Sequence, residues 1–349
     1  MTTAPKQDRP AAVLPQGSAG FQPAVSPTSS RPMAAAFGGA GYSRRGRIEN
    51  PRYSRLEVCA AMTLACALAA STVQAQSDPG FYRPLTLAPA DAPSSGAGGA
   101  ENDARAKAAE LAKQLQNPIA SLISVPIQNN FDWGAGPTGD GFQYKVNVQP
   151  VIPITLSEDW TLITRTILPI VYQENVVGTS SQSGLADTTE SLFFSPSKPT
   201  KRGWVWGAGP VFLLPTATDD LLGAEKWGAG PTAVVLKQEK GWTYGMLANH
   251  IWSYAGESGR SEVNATFLQP FLSYTTKTFT SFTVNTESIY DWQNHQWTVP
   301  LNFMVQQLVK VGKQPVAFQL GYRYYAERPA DGPDWGLRFA VTLLFPKGK

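Results

Sequence analysis

The sequence predicts an all-β fold: an antiparallel transmembrane β-barrel of the outer-membrane type, with about 12 strands and a short N-terminal helix. Three observations predict it. From Ile119 to Pro346 apolar and polar residues alternate in runs of about ten, as strands with two unlike faces do. The connections between runs alternate in length: Ser157–Asp159, Glu239–Gly241 and Thr275–Lys277 are short, whereas Asn175–Ala186 and Ala255–Ser261 are long. Membrane barrels do this because one end makes tight turns and the other carries free loops. Aromatics gather at run ends, at Trp133, Trp160, Trp204, Trp227, Trp242, Tyr254, Tyr290, Trp297 and Trp335, as interfacial girdles require. A soluble sandwich also alternates, but it places its aromatics mid-strand more often, so the barrel is preferred.

Composition agrees. Only 16% of the 349 residues are charged and 11% are aromatic, against roughly 25% charged in an ordinary soluble domain. The mean hydropathy is slightly negative, which argues against a helical bundle built from apolar stretches of about 20 residues. Eight of the 29 Lys and Arg precede residue 76, against only Asp8, Glu49 and Glu57 among the acids. The remainder therefore holds 21 basic and 23 acidic residues, and nucleic-acid binding loses its main support.

Residues 1–75 read as a leader. Arg44, Arg45 and Arg47 precede an apolar run from Val58 to Ala70, with small residues at Val73 and Ala75, the layout of a secretory signal cleaved after Ala75. Both cysteines, Cys59 and Cys66, fall in it, so the exported chain has no thiol for a disulfide, a metal or a nucleophile. Residues 76–118 form a periplasmic linker and short helix: a Pro/Gly/Ala/Ser stretch from Ser77 to Ala100, then a helix with Asp103 as N-cap and Pro118 as stop. Its apolar stripe is mostly alanine, which favours a helix lying before the barrel over a plug entering it. The barrel occupies 119–349, its runs beginning near Ile119, Phe142, Trp160, Asp187, Gly203, Lys226, Gly241, Glu262, Thr278, His295, Pro315 and Asp334. In the last run Trp335, Leu337, Phe339, Val341, Leu343 and Phe345 share one face, and Gly336, Arg338, Ala340 and Thr342 the other. Pairing the last hairpin about the centre of PADGPD sets Tyr324 opposite Leu337, Tyr322 opposite Phe339 and Arg323 opposite Arg338. That basic pair needs a carboxylate such as Glu287, or passing anionic or phenolic groups, to balance it.

The word WGAGP occurs at Trp133–Pro137, Trp206–Pro210 and Trp227–Pro231. A phosphate-cradling loop needs G-x-G-x-x-G before a helix, but proline follows the second glycine and no helix comes next. Within barrel strands the glycines permit bulges and close approach, so the repeat shapes the wall. No catalytic set emerges. His250 and Ser253 lie three apart on a strand and face opposite ways, His295 borders an exposed loop, and two histidines make no zinc site without a third ligand. Asp219, Asp220 and Glu225 read as an exposed acidic loop rather than a cation site. No cofactor, metal or catalytic residue is expected.

The segments LAKQLQNPIASLISVPIQNNFD, VNVQPVIPITLSEDWTLITRTILPIVYQ and GAGPVFLLPTATDDLLGAEKWGAGPTAVVLK resemble a family of bacterial outer-membrane β-barrel proteins. Its members are labelled transporters of the MetA-pathway of phenol degradation, and also carry the misnomer neuromedin U. The resemblance covers roughly Glu110 to Lys349 and implies a pore or uptake barrel with a phenolic connection, in the outer membrane of a Gram-negative bacterium. The implied partners are outer-membrane lipid, the barrel-assembly machinery and a small-molecule cargo. A barrel hydrolase and a structural barrel without transport are the alternatives. Several strands, such as TLITRTILPIVY and TAVVLK, are apolar on both faces, which suits small hydrophobic or aromatic cargo better than bulk ions. The polar phase assigns a lumen path through Lys145, Asn147, Gln149, Arg165, Gln269, Asn285, Glu287, Asn302, Gln306, Gln319, Arg323 and Arg338. The same groups would also satisfy one another in a filled barrel.

Overall fold

A computed structural model describes residues 97–346. The leader and most of the linker lie outside the described residues. Helix α1 spans Ala97–Leu115. Six strands make the first half of the sheet in chain order: β1 (Ile123–Ala135), β2 (Gly141–Val148), β3 (Val151–Thr155), β4 (Trp160–Glu174), β5 (Ser181–Leu185) and β6 (Thr188–Pro196). Then come β7 (Trp204–Leu214), β8 (Lys226–Glu239), β9 (Trp242–Gly256), β10 (Asn264–Thr275) and β11 (Thr280–Thr286). The last are β12 (Ser288–Asp291), β13 (Gln296–Val311), β14 (Gln314–Glu327) and β15 (Trp335–Phe345).

Each span pairs antiparallel with the next, and β15 returns to β1 from Trp133–Trp335 down to Ile123–Phe345, closing a 12-strand barrel. Three spans are broken in two: β2 and β3 at Gln149–Pro150, β5 and β6 at Ala186–Asp187, and β11 and β12 at Glu287. Closure removes the unpaired edges that an open sheet exposes, which a strand in lipid cannot tolerate.

The outer wall is apolar and exposed, as at Ile170, Val235, Leu272, Phe303, Val305 and Leu320. Its two rims carry the expected aromatic girdles. Trp160, Trp206, Trp242 and Tyr274 ring the end with short turns; Trp133, Trp227, Trp252, Tyr290, Trp297 and Trp335 ring the end with long loops. Trp133 and Trp335 stack across the closing seam with ring centroids 4.6 Å apart.

Three expectations are corrected. The helix starts at Ala97, so Asp103 lies within it rather than capping it; the alanines on both sides of Asp103 propagate helix better than they stop it. The first strand begins at Ile123, not Ile119, because Gln116–Leu122 runs as a tail inside the barrel mouth. Gln116 Nε2 donates to Gln306 Oε1 at 2.8 Å, while its own Oε1 accepts from Ser273 Oγ at 2.9 Å. Ile119 joins the inner apolar cluster, where Gly207 makes room for it: a Cβ on Gly207 would lie 3.3 Å from Ile119 Cδ1. The helix stays at the mouth, packing Ala112 with Leu308, Ala317 and Leu344, so only the tail enters.

The third correction concerns the last hairpin. Tyr324 pairs with Trp335, Tyr322 with Leu337 and Leu320 with Phe339, two residues from the predicted register. A slip of two keeps every side chain on its face, so alternation cannot detect it. The loop decides: Arg328 bridges to Asp334 and donates to Gly332 O at 2.6 Å, and Tyr325 N donates to Asp334 O at 3.1 Å. Arg323 consequently faces Gly336, and Arg338 faces Gly321, rather than each other.

Candidate functional site: a two-walled lumen

The inner face divides lengthwise into unlike walls. On β4 and β6 to β10 it is apolar, built from Ile163, Phe193, Val211, Leu213, Val234, Leu236, Leu247, Ile251 and Phe267. On β1, β2 and β13 to β15 it is polar and equally buried. Period-2 alternation explains the second wall; continuous apolar runs such as Val211–Leu214 and Ala233–Leu236 explain the first.

The polar wall is ordered in rows. One row runs Arg338, Asn130, Lys145 across β15, β1 and β2, and the next runs Arg323, Gly336, Asp132, Gln143, Gln173. Glu287, projected inward at the β11–β12 break, takes both oxygens to Arg338: Nη1 donates to Oε1 at 2.9 Å and Nη2 to Oε2 at 2.8 Å. Asn130 Oδ1 accepts from Arg338 Nε at 2.8 Å and Arg323 Nη1 at 2.9 Å, joining the two guanidiniums. Arg323 Nη2 donates to Tyr325 Oη at 2.9 Å, Tyr325 Oη donates to Asp132 Oδ1 at 3.1 Å, and Asp132 stands 3.6 Å from Arg323. Gln143 donates to Gln173 at 2.8 Å and Gln173 to Gln182 at 3.0 Å, a glutamine ladder toward the loop end. Lys145 Nζ is buried without a hydrogen-bond partner.

The lumen thus sets the cations Lys145, Arg165, Arg323 and Arg338 against Asp132 and Glu287, leaving this group net positive. The expected carboxylate for the basic pair is Glu287, as read from the sequence, with Asp132 as a second. Asn130, Asp132 and Tyr325 were not anticipated, although Gln128, Asn130 and Asp132 share one alternation phase in IQNNFDW that would have found two of them.

All of the twelve predicted lumen residues belong to the inner face, but at two levels. Gln149, Arg165, Gln269, Asn285, Glu287, Gln306, Gln319 and Arg338 line a cavity of about 220 Å3 in the short-turn half of the lumen, floored by the tail. Lys145, Asn147, Asn302 and Arg323 sit outside that lining and are almost fully buried. The barrel is therefore hollow beside the tail and filled where the charged rows cross it. At the loop end the β7–β8 connection folds inward. The Asp187 carboxylate accepts from Ala217 N at 3.2 Å and Ala224 N at 2.6 Å, and Leu222 packs on Val171 and Ala186.

The groups weighed for chemistry lie apart. His250 is on the outer wall, with Nδ1 2.7 Å from Thr266 Oγ1, while the Ser253 hydroxyl bonds Glu262. Asp219 accepts from its own loop at Leu221 N, 2.9 Å away, and Glu225 lies 3.8 Å from Arg260.

No protein-family model and no curated protein matches the sequence. The fold is similar to that of solved barrels. An outer membrane channel from Pseudomonas putida F1 superposes with a TM-score of 0.53 at 15% identity, covering 64% of this chain and 96% of that one. The NanC porin gives 0.42 at 10% identity over 63% and 98%. The outer membrane phospholipase A from Escherichia coli gives 0.37 at 11% over 69% and 98%. At these identities the similarity establishes the outer-membrane barrel fold.

Proposed function

We propose that this chain is an outer-membrane channel or uptake protein for small hydrophobic or aromatic molecules. The observation that carries this reading is a cavity of about 220 Å3 whose lining mixes Leu115, Leu122, Val151, Phe271 and Met304 with polar and charged side chains. A wide water-filled pore presents polar groups on every inner face, whereas here apolar side chains supply part of the cavity lining and close-pack the wall beside it. The superposition on a channel, and the sequence resemblance to barrels with a phenol-degradation label, point the same way. In the resting state the charged rows and the tail both obstruct the path, so passage requires cargo to part them.

Liposome swelling with the purified barrel tests this. After subtraction of the rate through protein-free liposomes, phenol and benzyl alcohol are expected to enter faster than glucose or arabinose. Equal rates for both classes, or entry of neither, would overturn the reading.

A further inference from the structure

The cavity holds one cation that makes no direct ion pair among the described residues. Arg338 is fully engaged, by Glu287 on both terminal nitrogens and by Asn130 on Nε. Arg165, on the opposite side of the cavity, makes no ion pair among the described residues; its hydrogen bond is Nη2 to Gln149 Oε1 at 3.1 Å. A guanidinium stays charged at any physiological pH and presents five donors in a planar fork. Most of that fork remains for a ligand.

Its position is also particular. Arg165 pairs with Val151 on one side and Ser191 on the other, and its inward neighbour along β4 is the fully buried Ile163. It therefore stands on the border between the polar wall and the apolar one. Around the same cavity the tail and strands contribute Leu115, Leu122, Val151, Phe271 and Met304. A dry cavity of roughly 150 Å3 accommodates a benzene ring, so about 220 Å3 has room for a ring and one carboxylate.

We infer that this cavity is a binding site for single-ring monocarboxylates, the carboxylate seated on Arg165 and the ring on the apolar lining. The inference rests on the channel reading and names the class of cargo that pauses within it. A neutral phenol fills the apolar part and leaves the guanidinium unmatched. A small anion such as acetate meets the guanidinium and leaves the apolar part empty. Only a molecule with both features uses the whole site, and the nearby Glu287 carboxylate disfavours a second negative charge.

Isothermal titration calorimetry on the full chain, folded in detergent, tests it with benzoate, benzyl alcohol and acetate. Benzoate is expected to bind at least tenfold more tightly than either of the others. Arg165→Gln is expected to weaken benzoate at least tenfold while leaving benzyl alcohol unchanged, and Phe271→Ala to weaken both. Equal affinity of the wild type for benzoate and benzyl alcohol overturns the site, and so does benzoate binding that survives Arg165→Gln. Should Arg165→Gln fail to show heat-modifiable migration, the wild-type comparison decides alone. Benzoate binding without liposome swelling would sink the channel reading and leave the site standing; swelling without benzoate binding would do the reverse.

Discussion

Arg338 is tolerated inside the barrel because Glu287 and Asn130 together satisfy its donors. Removing one partner of such a buried pair leaves an uncompensated charge, at a cost of about 3–5 kcal/mol, whereas removing both costs far less. Arg338→Gln is therefore expected to lower the urea midpoint of the folded barrel sharply, and Glu287→Gln added to it to restore most of the loss. Equal destabilisation by the single and double variants would show that the pair is not coupled. Gly336 has a similar dependence on its neighbour. A Cβ there would lie 2.2 Å from Asp132 Oδ1, so Gly336→Ala should displace Asp132 from Arg323 and destabilise by about 2 kcal/mol or more; an unchanged midpoint would contradict this. At this scale the sequence was partly legible. Alternation puts Glu287, Arg323 and Arg338 on the inner face, and charge balance nominates Glu287 as the partner. It could not show that a strand break falls at Glu287, because no Gly or Pro marks that position in VNTESIYD.

Strands and their phases were read closely: Trp160 and Lys226 begin strands where the patterns place them. Registers were not. The last hairpin differs by two residues because the pattern repeats every two, and only the Arg328–Asp334 contact inside the loop selects among the choices. The WGAGP repeat likewise has two functions that composition cannot separate. At Trp133–Pro137 both glycines adopt positive φ, +84° and +81°: Gly134 at a bulge within β1 and Gly136 in the turn after it. In β7 and β8 the prolines pair with each other, Pro210 opposite Pro231, in mid-wall. Lacking N–H groups they cannot bond outward, and pairing with β9 lapses between Ala229–Trp252 and Thr232–Asn249. There Gly230 lets the neighbouring backbone come close, since a Cβ would lie 1.7 Å from His250 O. Gly230→Ala is expected to abolish heat-modifiable folding, while Ala229→Gly, the adjacent position, removes a Cβ rather than adding one and should fold. Normal migration of both would refute the close approach.

The described residues form a ring sealed by its first and last strands, with α1 and the tail resting across the same region. The tail was missed because a thin alanine stripe looks like a poor plug; its anchors are instead Gln116 and Ile119, beyond the helix. Deleting residues 97–122 is expected to raise single-channel conductance several-fold, and an unchanged current would place the barrier elsewhere. Cysteine placed at Asn147 or Asn302 is expected to resist aqueous thiol reagents in the intact chain, because both side chains are wholly buried; rapid labelling would mean the charged rows are open. The position of Arg338 on the final strand has a consequence for how the protein assembles. Glu287 lies far earlier in the chain than Arg338, and the two meet only when β15 arrives between β14 and β1. Sealing the ring and pairing the carboxylate with Arg338 therefore depend on the same strand. Until β15 is in place Glu287 has no bidentate partner, so a break in the closing seam is also a break in the charge balance of the lumen.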